Sequence, residues 1–213
     1  NSYNVNTYYI SLMLFDNSYN QLKSSSIGIY KEKGSKFISY AFTVKNEDDI
    51  KNHLTQIKKK EHGARHFCYA YVLNPDKSIV KINDDGEPSS TAGRPIPGQI
   101  NSNNLTNVLI VVVRYFGGTK LGVGGLITAY KTAAQLALES SEIIEKTINV
   151  HYLITFDYKN MNKVMRIIKE KNLDILHQKL ELNCQITLSV RKKESNTVLE
   201  IFENLYEVTI HQI

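Results

Sequence analysis

Nine residues, Gly117-Gly118-Thr119-Lys120-Leu121-Gly122-Val123-Gly124-Gly125, stand between an apolar run and a helical pattern. A glycine-rich turn that opens a helix can hold an anion, because its backbone N–H groups converge at the positive end of the helix dipole. Lys120 and Arg114 would add charge to such a site. Two familiar forms are excluded by spacing. Val123 and Gly124 follow Gly122 where a Walker loop requires Lys and Ser/Thr, and Ile127 stands where a dinucleotide fingerprint needs its third glycine. The same glycines equally serve a tight turn with positive φ and a close approach of helix to sheet. On these residues alone, anion or RNA-phosphate binding and a purely structural turn both stay open.

Asn83-Asp84-Asp85-Gly86-Glu87-Pro88-Ser89-Ser90-Thr91 gathers carboxylates and hydroxyls in a segment with little periodicity. Oxygen ligands of this kind can hold a divalent cation or supply an acid and a base, but the segment lacks the acidic spacing of an EF-hand. Asp, Ser and Thr also cap turns and helix starts. Arg65-His66 opens an alternating segment that contains Cys68. Same-face neighbours two apart on a strand lie about 6–7 Å from each other, too far for a direct proton relay. A hydrogen-bonded, structural His66 is the expectation, and Gly63 between His62 and His66 argues against a helical metal pair. No catalytic residue, metal or cofactor follows from these patterns.

The elements that must position these residues read as an α+β chain. Phe37–Val44 is strand-like, and Asn46 caps a helix on which Ile50, Leu54 and Ile57 recur at helical spacing. Phe67–Leu73 and Ile79–Ile82 flank the turn Asn74-Pro75-Asp76 and read as a hairpin. Residues 83–104 read as one long loop. Val108–Val113 is continuously apolar, as in a strand covered on both faces, and the glycine turn leads into a helix over Leu126–Glu139 with Ala129, Ala133, Ala134, Leu136 and Ala137 on one side. Beyond Glu145 the order strand, helix, strand, strand, helix, strand is the ferredoxin-like βαββαβ pattern. Met161, Val164, Met165 and Ile168 form the apolar stripe of its first helix. The boundaries drawn are an extension over residues 1–22, with an edge strand over Tyr8–Phe15, a first domain over 23–145 and a second over 146–213.

Hydrophobic residues make up 42% and charged residues 22% of the 213, near ordinary globular values, which argues against a disordered chain or a coiled coil. No run approaches the roughly 18 apolar residues of a membrane span, so no membrane partner is expected. The net charge of +5 permits an acidic partner such as RNA without naming one. Cys68 and Cys184 lie far apart in apolar segments and read as core thiols. The start lacks a secretory pattern, which makes the cytoplasm the expected location.

Several ordered motifs together resemble the YigZ/IMPACT family. They are Gly34-Ser35-Lys36-Phe37-Ile38, Ala64-Arg65-His66 through Tyr71, Asp84-Asp85-Gly86-Glu87-Pro88-Ser89, Thr91-Ala92-Gly93-Arg94-Pro95-Ile96, and Leu105-Thr106-Asn107 through Gly122. The likeness spans about residues 25 to 140, and the βαββαβ tail narrows it to the bacterial, two-domain branch. The resemblance implies a first domain similar to the second domain of a small-subunit ribosomal protein and a second similar to the last domain of elongation factor G. It implies a non-enzymatic, translation-associated protein whose partners are RNA, the ribosome or a translation-regulating protein. The alternatives are an enzyme acting on a phosphorylated or acidic small molecule and a protein-binding scaffold. The residues marked for ligand or nucleic-acid contact are Arg65, His66, Asp84, Asp85, Glu87, Arg94, Arg114, Gly117, Gly118 and Lys120. Three positions depart from the family pattern: Phe67, where a second His is frequent, Ser90, where Gly is common, and Lys131, where a Gly often follows the helix Tyr.

Overall fold

The computed structural model describes residues 17–213, and the edge strand expected over Tyr8–Phe15 lies outside them. The chain divides into two compact units, one over Tyr19–Lys146 and the other centred on Thr147–Ile213. In the first, β1 (Ser18–Leu22), β2 (Ser26–Glu32), β3 (Ser35–Thr43), α1 (Glu47–Lys60), β4 (His66–Leu73), β5 (Ile79–Asn83), α2 (Pro95–Ser102), β6 (Val108–Tyr115), α3 (Gly122–Glu139) and β7 (Ile143–Thr147) follow one another. β2-β3-β6-β4-β5 form an antiparallel sheet, and β1 pairs with β7. The first unit therefore begins earlier than the expected boundary at residue 23. Leu22 is fully buried in its core, and its carbonyl accepts from Thr43 Oγ1 at 2.9 Å.

The continuous apolar run of β6 has the explanation anticipated for it. Val108, Ile110 and Val112 pack on the side of α2 and α3, whereas Leu109, Val111 and Val113 pack on the side of α1. A central strand with two dry faces has no position for a polar residue, and each such side chain contributes on the order of 1.5–3 kcal/mol by its burial. α1 begins where Asn46 Oδ1 accepts from the Asp49 N–H at 2.9 Å, and its acidic first turn and lysine-rich last turn complement the helix dipole.

β1, β2 and β7 form where no strand was read, and two further elements differ from the sequence expectation. Residues 95–102 are helical rather than loop: Pro95 takes the first helical position, where a missing N–H costs nothing, and Ile96, Gln99 and Ile100 form the buried side. The helix on the far side of the glycine turn starts at Gly122, four residues before Leu126, because glycine is tolerated in a first turn whose packing begins later. Ala129, Ala133, Ala134 and Ala137 are fully buried. A methyl group on Gly28 of β2 would overlap the Ala137 backbone, so helix and strand touch backbone to backbone there.

In the second unit, β8 (Asn149–Asp157), α4 (Met161–Glu170), β9 (Asp174–Lys179), β10 (Asn183–Arg191), α5 (Ser195–Glu203) and β11 (Val208–Gln212) realise the βαββαβ order. The sheet runs β11-β8-β10-β9, all antiparallel, which places the first and third strands at the centre. Val164 and Ile168 of α4 are buried with Cys184, Ile186 and Phe202, while Met165 is 37% exposed and falls off the expected stripe. No described helix is long and apolar enough to cross a membrane.

Candidate functional site

The site builds from one cross-strand row. Phe37, Arg114 and His66 stand side by side on β3, β6 and β4, at the end of β6 that leads into the glycine turn. Arg114 Nη1 donates to Glu87 Oε1 at 2.6 Å, and the two side chains are only 7% and 4% exposed. The guanidinium carbon lies 5.6 and 5.5 Å from the ring centroids of Phe37 and Phe116. Tyr130 from α3 donates to the same Glu87 oxygen at 2.9 Å, and Cys68 Sγ lies 3.3 Å from its hydroxyl and 3.0 Å from the Asp84 carbonyl. Burial pushes the Tyr130 phenol and the Cys68 thiol well above their ordinary pKa values, reinforced for both by the nearby Glu87 carboxylate. Cys68 is accordingly a protonated, unreactive thiol. Arg114, expected to lend charge to the glycine turn, is committed instead to a buried ion pair.

The acidic loop is organised by its own carboxylates. Asp84 accepts from the backbone N–H groups of Ser90, Ala92 and Gly93 at 2.9, 3.0 and 2.7 Å. Desolvation raises its pKa, and those donors outweigh it, leaving the group below the usual value. Asp85 Oδ2 accepts from the Phe67 N–H at 2.6 Å, and the Asp85 carbonyl accepts from His66 Nδ1 at 2.8 Å. Because a carbonyl only accepts, His66 is the donor of this bond through Nδ1. Asp85, Gly86 and Ser90 have φ of 41°, 82° and 66°, the left-handed region that explains why glycine suits position 90. Every carboxylate of the loop therefore faces an internal donor. Among the described residues no His, Cys, Asp and Glu cluster is placed to hold a metal ion.

The depressed Asp84 pKa has a signed consequence. Its contribution is complete above the unfolded value of about 3.9 and is lost as pH falls through the lower folded value. Asp84→Asn is expected to lower Tm at pH 7, with a deficit against wild type that shrinks below about pH 4. Thermal melts from neutral to acid pH read this, and a deficit independent of pH would refute it.

The glycines of the turn have distinct duties. Gly117 packs directly on Gly34 and Ser35: a methyl there would overlap the Gly34 carbonyl group and the Ser35 nitrogen, and one on Gly34 would lie 2.8 Å from the Gly117 oxygen. Gly118 and Gly122 have φ of 87° and 73° and open space around them. Gly117 N–H donates to Ser35 Oγ at 3.2 Å, and no side chain caps α3. Lys120 is exposed in the turn, Arg65 is exposed where its N–H donates to the Arg114 carbonyl at 3.4 Å, and Arg94 is exposed at the start of α2. Glu87 and Arg114 are thus paired in the interior, with half-buried His66 and Asp85 beside them and with Arg65 and Lys120 outside. Tyr130 is the residue that sequence reasoning missed. Its one signal was a phenol interrupting an alanine-rich buried side of α3. Lys131 stands halfway along α3.

This combination defines a two-unit α+β protein with a buried Arg–Glu–Tyr network beneath a glycine-opened helix. The Impact N-terminal domain model matches residues 33–138, which include every residue of the network and the turn. Over 166 residues the chain is 34% identical to the IMPACT family member YvyE of Bacillus subtilis, covering 78% of this chain and 76% of that protein. It is 31% identical over 173 residues to an IMPACT family member of Haemophilus influenzae, covering 80% and 84%. The chain belongs to the IMPACT family. A crystal structure of a hypothetical protein superposes with a TM-score of 0.69 over 92% of this chain and 98% of the other, and at 23% identity it shows the fold alone.

Proposed function

We propose that this chain is a non-enzymatic, translation-associated binding protein that contacts RNA, free or on the ribosome, through the exposed cations around the glycine turn. The observation that carries the reading is the division of charge at the site. Asp84, Asp85 and Glu87 are turned onto internal donors, while Arg65, Arg94 and Lys120 stand exposed. Carboxylates already occupied by internal donors are poorly placed to act as acid or base, and a site that presents cations beside an uncapped helix start attracts phosphate. The likeness of the two domains to ribosomal-protein and elongation-factor domains, implied by the family resemblance, supports the same direction.

The test is a titration of a labelled RNA hairpin and of purified small ribosomal subunits at about 50 and 200 mM salt. The expected result is salt-dependent binding, with Arg65→Ala and Lys120→Ala each reducing the slope of log affinity against log salt by about one. Wild type that binds neither probe at the lower salt sinks the reading.

A further inference from the structure

β2 is an outer strand of the five-stranded sheet, and its connection to β3 fixes which backbone groups face outward. Lys33 and Gly34 have φ of 45° and 78°, as a two-residue type I′ hairpin requires. That turn bonds Glu32 to Ser35, and antiparallel alternation then bonds Tyr30 to Phe37 and Gly28 to Ser39. Ile27, Ile29 and Lys31 occupy the intervening non-bonded positions, so their N–H and C=O groups point away from β3. Their side chains share the face of Ile38 and Tyr40, on which α1 lies. Ile27 and Ile29 nevertheless remain 48% and 53% exposed.

A groove of about 280 Å³ opens beside this edge, lined by Ser26, Ile27, Tyr40, Phe42, Ile57 and Lys60 among others. It falls just below the roughly 300–1,000 Å³ of small-molecule sites, and its walls are largely apolar, so it suits one large apolar side chain. The surrounding charge is positive. Lys31 and Lys36 face each other in a non-bonded cross-strand pair, where side chains come closest and like charges oppose. Lys60 Nζ lies 4.9 Å from the Tyr40 ring centroid. Glu61, the acid near Lys36 and Lys60, already accepts from the Tyr40 and Tyr115 hydroxyls. An incoming carboxylate would relieve the Lys31–Lys36 repulsion.

We propose that β2 is a strand-addition site for an extended segment of another protein, one carrying a large apolar residue and an acidic residue four positions along. Ile27 and Lys31 set that spacing, since positions four apart on a strand share a face. Main-chain bonds to Ile27, Ile29 and Lys31 supply affinity, and the groove with its flanking lysines supplies selection. This edge is distinct from the cationic rim of the glycine turn, and the proposal stands independently of RNA binding.

The probe is a synthetic peptide of pattern Thr-Leu-Thr-Val-Thr-Asp-Thr, titrated into the full, isotope-labelled chain and followed by amide resonances and hydrogen exchange. The expected result is saturable micromolar binding, with the Ile27, Ile29 and Lys31 amides gaining at least about tenfold protection and the Gly118 and Lys120 amides unchanged. Ile29→Pro removes an outward N–H without touching the bonds to β3 and is expected to weaken binding at least about tenfold. Should that variant fold poorly, Lys31→Glu with Lys36→Glu keeps the test open: it is expected to reject the Asp peptide and accept its Lys counterpart. Four results overturn the proposal: wild type without saturable binding near millimolar peptide, protection at other amides, a wild-type dimer that Ile29→Pro dissociates, or single-stranded RNA protecting the same amides. Much tighter peptide binding after removal of residues 1–16 would also overturn it, by assigning the edge to the chain's own leading segment.

Discussion

Arg114→Ala is expected to destabilise the protein by about 3–5 kcal/mol, because it leaves the Glu87 carboxylate buried without its cation. The geometry behind the number is the 2.6 Å contact between two nearly inaccessible side chains. Glu87→Ala is expected to cost as much, since it strands both the guanidinium and the Tyr130 hydroxyl. Removing both charges together is different. Arg114→Met with Glu87→Leu is expected to recover most of the loss, because desolvating the pair consumes most of what their attraction returns. Tyr130→Phe, which leaves the pair intact, is expected to cost about 1 kcal/mol. Urea denaturation of the four variants measures all of this. A single-charge variant within 1 kcal/mol of wild type would show that the pair is not buried as described.

Gly117→Ala is the second large effect, expected to exceed about 4 kcal/mol or to prevent folding, a size reserved for changes the backbone cannot absorb. The methyl group would enter the Gly34 carbonyl, which is main chain and has no rotamer to yield. Gly118→Ala, one residue on, meets open space and bears only the conformational cost of φ near 87°, on the order of 1–2 kcal/mol. Thermal melts of the two variants separate the duties of neighbouring glycines. Equal losses would contradict the backbone contact.

The parts of this fold that depend on short-range pattern were legible in the sequence. The apolar run of β6, the Asn46 cap and the hairpin of β4 and β5 each follow from residues within a few positions of one another. The order of the second unit follows for the same reason. α2 was hidden because Pro95, Pro97 and Gly98 are loop residues by composition, and eight residues give too few turns for a helical period to show. The start of α3 was hidden by its glycines.

The candidate site was half legible. Apart from Tyr130, its residues and motifs were marked, yet their roles depend on pairings that no local pattern carries. Glu87 and Arg114 are 27 positions apart, and Tyr130 is 43 from Glu87. Arg114 was therefore placed with the exposed cations when it belongs beneath them. Carboxylates that look available in sequence are occupied once the loop closes on Asp84, because three N–H groups reach it from residues six to nine positions later.

The contact between Gly34 and Gly117 also bears on how the hairpin tip and the turn before α3 can vary over generations. Most packing faults have second-site suppressors, since a bulky newcomer can be matched by trimming a neighbouring side chain. Here the neighbour is peptide main chain on both sides, so there is nothing to trim. A selection for revertants of Gly117→Ala should return the glycine codon itself, and position 34 should behave alike.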